Sequence, residues 1–306
     1  MVGLLILPNS SVFAQAPDAS EGLEISPALI DVSADSGKSY NLDVTVHNVT
    51  KYALDFSASV DDFGAKDETG QPSIILDSTD SLPTSIKTWV RAIPSFRLQS
   101  NETKHINVSM VIPSDAEPGG HYGVIRFTGK SPDATGSIGQ VASAGTLVLV
   151  RVSGDAKETL ELASLDITKG GTKGTLFESG PLTFVSRFKN TGSVHVKPVG
   201  QIEIRDAFGH SNVLPLNAAG GNILPGSIRR FESPLNTTWM FGHYTADLSI
   251  AYGTTGQAIV RTISFWVIPY KLILLGLLVL ITLVYILRKA IKRYNTYIIT
   301  QSRKHK

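Results

Sequence analysis

The chain has 306 residues, with 28 Lys and Arg against 26 Asp and Glu, a formal net charge of +2, and no cysteine. Without thiols it cannot rest on disulfides, so its folded parts must hold their own cores, which 42% hydrophobic and 18% charged residues allow. Seven of the basic residues (Arg288, Lys289, Lys292, Arg293, Arg303, Lys304 and Lys306) fall after position 287, leaving 21 basic against 26 acidic before it. The positive balance therefore belongs to a tail and is no sign of nucleic-acid binding.

At the N-terminus, Val2-Gly3-Leu4-Leu5-Ile6-Leu7 is a short apolar core and Ala14-Gln15-Ala16 a small-residue cleavage pattern. Residues 1–16 read as a signal peptide cut after Ala16, or after Ala14, which avoids Pro17 next to the scissile bond. No basic residue precedes Lys38, so the segment reads as the back half of a leader. The rival is an uncleaved N-terminal anchor, but six apolar residues are far too few to span a bilayer.

From residue 21 to 264 the pattern is period two. Leu42, Val44 and Val46 alternate with polar residues, as do Leu54, Phe56, Ala58 and Val60; Ile106, Val108, Met110 and Ile112; and Tyr244, Ala246, Leu248, Ile250 and Tyr252. Such alternation puts one face of each strand in a core and the other in water. Turn clusters (Asp35-Ser36-Gly37, Glu68-Thr69-Gly70, Pro118-Gly119-Gly120, Lys169-Gly170-Gly171, Gly220-Gly221-Asn222) separate the strands. No amphipathic helix is evident, and short strands at this spacing predict antiparallel sandwiches.

Gly145–Val152 is apolar on both faces, as a strand closing a core would be, and Thr159-Leu160-Glu161-Leu162 opens a new alternating set. The boundary falls near Ser153–Lys157, giving one domain over 21–155 and another over 156–264. The halves echo each other: Val46-His47-Asn48 matches Phe188-Lys189-Asn190, each ending a strand in Asn. Gly120-His121-Tyr122 matches Gly242-His243-Tyr244, each opening a late strand. The expected fold is all-β: two tandem immunoglobulin-like antiparallel β-sandwiches followed by a single transmembrane α-helix.

Chemistry is sparse. His47, His105, His121, His195, His210 and His243 are scattered, with no metal-ligand spacing, and read as surface or corner histidines. Ser143-Ala144-Gly145 is only the tail of a nucleophile elbow. Asp61-Asp62-Phe63-Gly64-Ala65-Lys66-Asp67-Glu68-Thr69-Gly70 is the densest acidic stretch. It does not follow a helix–loop–helix calcium pattern and reads as a solvated connection between strands. Asn48, Asn101, Asn107 and Asn236 each open an N-glycosylation pattern. No catalytic residue, metal ligand or cofactor site is assigned, and the chain reads as no enzyme.

Leu272–Leu287 carries no charge, and Phe265–Tyr270 extends it upstream with Lys271 as the one charged residue. Residues 265–287 are thus predicted to form the membrane helix, with Trp266 and Tyr270 as an aromatic collar. Residues 288–306 hold basic residues and no acid, so the tail is expected in the cytoplasm and both domains outside. Ile291, Tyr294, Tyr297 and Ile298 suit the apolar side of a short interfacial helix within that tail.

In this order the chain resembles the WxL-interacting proteins of Gram-positive cell surfaces. The residues that carry the likeness in the first half are Leu23-Glu24-Ile25-Ser26-Pro27, Val46-His47-Asn48, Ile112-Pro113 and Pro118–Ile125. In the second they are Leu224-Pro225-Gly226-Ser227, Gly242-His243-Tyr244 and Ile263-Ser264-Phe265-Trp266. The resemblance implies a first domain associated with peptidoglycan and a second with a partner surface protein. None of Trp89, Trp239 and Trp266 stands in a Trp-x-Leu motif, which fits the receptor side of such a pair. Pilus-chaperone-like domains share the same sandwich logic. The function expected is that of a membrane-anchored extracytoplasmic adaptor, binding a cell-wall polymer or an exported surface protein. The rivals are a structural subunit of a larger membrane complex and an ectoenzyme acting on wall glycan, for which a carboxylate such as Asp62 would be needed.

Overall fold

A computed structural model of the chain describes residues 22–76, 82–131 and 141–304. It divides into two compact units. One comprises the residues up to Gly64 with Ser73–Ala156, and the other Ala65–Pro72 with Lys157–Lys306.

The first unit is a sandwich of β1 (Leu23–Ser26), β2 (Leu29–Ala34), β3 (Ser39–Asn48), β4 (Leu54–Ala65), β5 (Pro72–Ile75), β6 (Phe96–Leu98), β7 (Thr103–Val111), β8 (Gly119–Lys130) and β9 (Val141–Val152). One sheet runs β1-β3-β7, and the other β2-β9-β8-β4-β5 with β6 beside β4. The strands pair antiparallel except β2, which lies parallel to β9 from Leu29↔Leu147 to Ala34↔Val152. Alternation does what the sequence predicts: Leu42, Val44 and Val46 of β3 meet Phe56, Ile125, Phe127 and Val148 in one core.

The second unit repeats this plan with β10 (Leu160–Lys169), β11 (Thr172–Lys173), β12 (Leu176–Phe177), β13 (Leu182–Asn190), β14 (Val199–Asp206), β15 (Ser211–Leu216), β16 (Ile228–Leu235), β17 (Gly242–Tyr252) and β18 (Gln257–Val267). Its sheets run β11-β10-β13-β16 and β12-β18-β17-β14-β15. Short β12 lies parallel to the end of β18, as β2 lies parallel to β9. Apart from β6 in the first unit and β11 in the second, strand order coincides in the two units, and both are immunoglobulin-like sandwiches. Phe184, Phe188, Ile202, Leu248 and Phe265 fill the second core.

The last element, α1 (Tyr270–Lys304), is a single helix. Its stretch Tyr270–Asn295 is long and apolar enough to cross a membrane, its most apolar 18 residues having a mean hydropathy of 2.5 and none of them buried in protein. The apolar run read as starting at Phe265 is split by the structure. Phe265–Val267 finish β18, with Phe265 and Val267 buried in the core, because their period-two spacing continues that of Ile259 and Ile263. The helix begins only after Pro269, which lacks the N–H a strand would need. The leader read in residues 1–16 lies outside the described residues, as do the side chains of Tyr297 and Ile298.

Candidate functional site

Two places present chemistry that packing does not use up. The first is a cleft of about 270 Å³ in the first sandwich, lined by Pro83, Ser85, Thr88, Trp89, Asp115, Glu117 and His121 among others. His121 comes early in β8, opposite Val150. Its ring lies 4.4 Å from that of Trp89, and the two are 6% exposed each. Its Nε2 is 2.9 Å from the Glu117 carbonyl oxygen, which only accepts, so the proton sits on Nε2 and that nitrogen donates. The buried Nδ1 has no protein partner. Asp115 and Glu117 are exposed at the rim. The acceptors and two hydroxyls around this cleft suit a ligand rich in O–H and N–H groups.

The second is the outer edge of β18. Its inner edge pairs with β17 from Tyr252↔Gln257 to Gly242↔Val267. On the outer side, β12 covers only Trp266 and Val267, and the N–H groups of Trp266 and Ile268 donate to the carbonyls of Thr175 and Phe177. Parity then points the backbone groups of Ala258, Val260, Thr262 and Ser264 outward as well. Among the described residues no strand pairs with that side of β18 over 257–265. Arg261 is the one charged residue in the strand, and no proline or bulge interrupts it. Edges are ordinarily blunted by such devices, so this one is open to another strand. Ile259 and Ile263, whose side chains face the core, are only partly buried.

The other residues singled out from sequence separate clearly. Asp61 and Asp62 are not in a solvated connection. They belong to β4 and are 4% and 1% exposed, with Arg126 Nε 2.8 Å from Asp61 and Lys87 Nζ 3.0 Å from Asp62. The acidic run looked like a loop because its second half is one; the first half is strand whose charges are paired. His121 and His195 are buried, not surface, residues. His105 is exposed and its Nδ1 meets Thr45 Oγ1 at 3.0 Å, while His47 bonds Asn101 and Glu24. His210 is exposed beside Asp206, and the His243 ring lies 4.9 Å from Trp266. Ser143 meets Thr128 Oγ1 across β8 and β9 at 3.2 Å. Asn48 is fully buried and its amide is spent on backbone carbonyls, so it cannot accept a glycan; Asn101, Asn107 and Asn236 are exposed. Among the described residues no group of three or more His, Asp or Glu is placed to hold a metal ion.

Sequence reasoning missed the Trp89–His121 pairing, because 32 positions separate the two and neither lies in a pattern with the other. It also missed the loop Thr237–Phe241 of the second unit, where Trp239 and Phe241 stand 84% and 64% exposed. The one signal for that loop was a tryptophan and a phenylalanine outside any alternating run.

No protein-family profile matches the chain, and no curated protein matches it in sequence. Among solved structures it is similar to the YadV chaperone (13% identity, 79% of this chain and 99% of that one, TM-score 0.38). It is also similar to the class 5 fimbriae chaperone CfaA (15%, 79% and 98%, 0.37) and to the E. coli chaperone DraB (13%, 80% and 97%, 0.36). At these scores the likenesses carry no further argument.

Proposed function

We propose that this chain is a membrane-anchored, extracytoplasmic, non-enzymatic binding protein of the WxL-interacting type, which holds an exported protein by strand addition along β18. The observation that carries the reading is the open outer edge of that strand. A partner strand laid there would meet the outward N–H and C=O groups of Ala258, Val260, Thr262 and Ser264 and complete the cover of Ile259 and Ile263. Eight such bonds at about 1 kcal/mol net each are on the scale of a micromolar complex, before the cost of ordering the partner. Helix α1 would hold that edge at the membrane, where tethering raises the local concentration of both partners. The basic residues from Arg288 to Arg293 favour the orientation with both sandwiches outside.

The test is retention of surface extract by the full chain in mild detergent, wild type against Val260→Pro. The proline removes an outward N–H and leaves the pairing with β17 intact. Capture of an exported protein by the wild type, reduced severalfold in the variant, supports strand addition. Equal capture by both, or none by either, removes it.

A second reading has its own observation, the acceptor-lined cleft at Trp89 and His121. It favours a wall glycan, peptidoglycan above all, as a ligand of the first sandwich. Retention on purified walls should then fall in Asp115→Ala/Glu117→Ala and stay unchanged in Val260→Pro.

A further inference from the structure

We infer that the loop Thr237–Phe241 of the second sandwich is a second membrane contact, seating the Trp239 and Phe241 side chains in the headgroup–acyl boundary of the outer leaflet. The inference rests on the reading of α1 as a membrane span. The loop is held in place by its own packing. Met240 is buried in the second core at 8% exposed, so its neighbours on either side are turned out. Gly180 N–H donates to the Thr238 carbonyl at 3.1 Å, and Phe241 N–H donates to the Tyr244 hydroxyl at 3.2 Å. A Cβ at Gly180 would stand 1.9 Å from the Thr237 carbonyl oxygen, so only glycine admits this close approach. The backbone of the loop is therefore held in place, and Trp239 and Phe241 stand exposed on it.

Their depth follows from the helix. Trp239, Met240 and Phe241 line one cavity, of about 380 Å³, with Pro269 and Leu272 of the helix start. The uncharged run Leu272–Leu287 rises about 24 Å at 1.5 Å per residue, less than the ~30 Å of a hydrocarbon core. The bilayer has no slack to spare, so its apolar region must close over the first turn of α1. Whatever shares a cavity with Leu272 lies at that boundary. The chemistry there agrees: Asn236–His243 carries no charged side chain, and the nearby Glu178 and Lys271 neutralise each other, Nζ to Oε2 being 2.6 Å. Tryptophan and phenylalanine on a charge-free loop are the residues that gain most from the interface.

The chain has no cysteine, so one introduced thiol reports alone. Nitroxide labels at Phe241→Cys, Leu280→Cys and Val213→Cys of the full chain, in phosphatidylcholine–phosphatidylglycerol vesicles, are compared by collision with oxygen and with a water-soluble nickel complex. Position 280, mid-helix, should favour oxygen, and position 213, exposed on β15, should favour nickel. Position 241 should lose most of the nickel collisions seen at 213 and gain oxygen, at a depth between the two. Trp239→Cys repeats the measurement with Phe241 in place. If 241 and 239 read like 213 while 280 reads lipid, or if they are shielded from both reagents, the loop contact is refuted and the anchor stands. If 280 itself reads water, the membrane reading fails and this one with it.

Discussion

Asn48 and Asn190 each use one side chain to close a corner of a sandwich. Both end a strand that is paired on both sides, β3 between β1 and β7 and β13 between β10 and β16, and both are fully buried. Asn48 Oδ1 accepts from Thr50 N–H while its Nδ2 donates to the carbonyls of Tyr52 and Gln99. Asn190 Oδ1 accepts from Gly192 N–H while its Nδ2 donates to Val194 and Ile223. Alanine would remove these bonds and leave the Thr50 N–H at one corner and the Val194 carbonyl at the other without their partner, so Asn48→Ala and Asn190→Ala should each cost about 2 kcal/mol. Urea unfolding in mild detergent checks this, and a loss below about 1 kcal/mol would mean that water replaces the amide. Sequence alone marked both residues as strand ends; their burial was out of reach, because it depends on Leu98–Gln99 and Ile223 returning from far along the chain. Asp166 gives a different kind of prediction. Burial pushes its carboxyl up, but hydrogen bonds from Lys173 and Ser164 and the charges of Lys173 and Arg187 outweigh that, so its pKa lies below the ordinary value. A depressed carboxyl stabilises the fold fully above its unfolded pKa of about 3.9, and the gain is lost as pH falls through the folded value. The thermal midpoint of the second sandwich should therefore drop below about pH 4, less steeply in Asp166→Asn. Equal slopes in both proteins would refute the assignment.

At the scale of elements, β18 is where periodicity and composition disagree. Composition joined Phe265–Val267 to the helix, since a short apolar run looks alike in either state. The structure follows periodicity: Ile259, Ile263, Phe265 and Val267 keep one face, and the helix waits for Pro269. Alternation was equally reliable for β3, β7 and β17, which is why the sandwich class was legible. What it could not supply was the neighbour of each strand, and so the bare edge of β18 was invisible until the pairing was known. That edge has a signature of its own. The N–H groups of Ile259, Arg261 and Ile263 face β17, opposite Ile250, Leu248 and Ala246, whereas those of Val260, Thr262 and Ser264 face away. Amide hydrogen exchange should alternate along the strand, fast at 260, 262 and 264 and slow at 259, 261 and 263. A bound strand should slow the fast set alone. Uniform protection in the isolated chain would mean that the edge is already covered.

At the scale of the whole molecule, the question is which way the chain faces. Helix α1 has 35 residues, or about 50 Å at 1.5 Å per residue, so it outruns a ~30 Å hydrocarbon core by several turns. The surplus begins at Arg288. At 100° per residue, Arg288, Lys289, Lys292 and Arg293 fall within one 140° arc, and Ile291 and Tyr294 lie outside it. On the proposed reading of α1 as a span, each basic residue near an anionic surface would gain about 1 kcal/mol, and the four together would favour the cytoplasmic leaflet by several kcal/mol. The upstream side of the span offers only Lys271, already paired with Glu178. Orientation should therefore depend on those four residues. In intact cells an impermeant maleimide should label Val213→Cys and leave Gln301→Cys unmodified until the membrane is opened. Changing Arg288, Lys289, Lys292 and Arg293 to Gln should let a measurable fraction of molecules show the reverse pattern. Persistence of the original pattern would place the orienting signal elsewhere in the chain, and labelling of position 301 in intact wild-type cells would put both sandwiches on the cytoplasmic side.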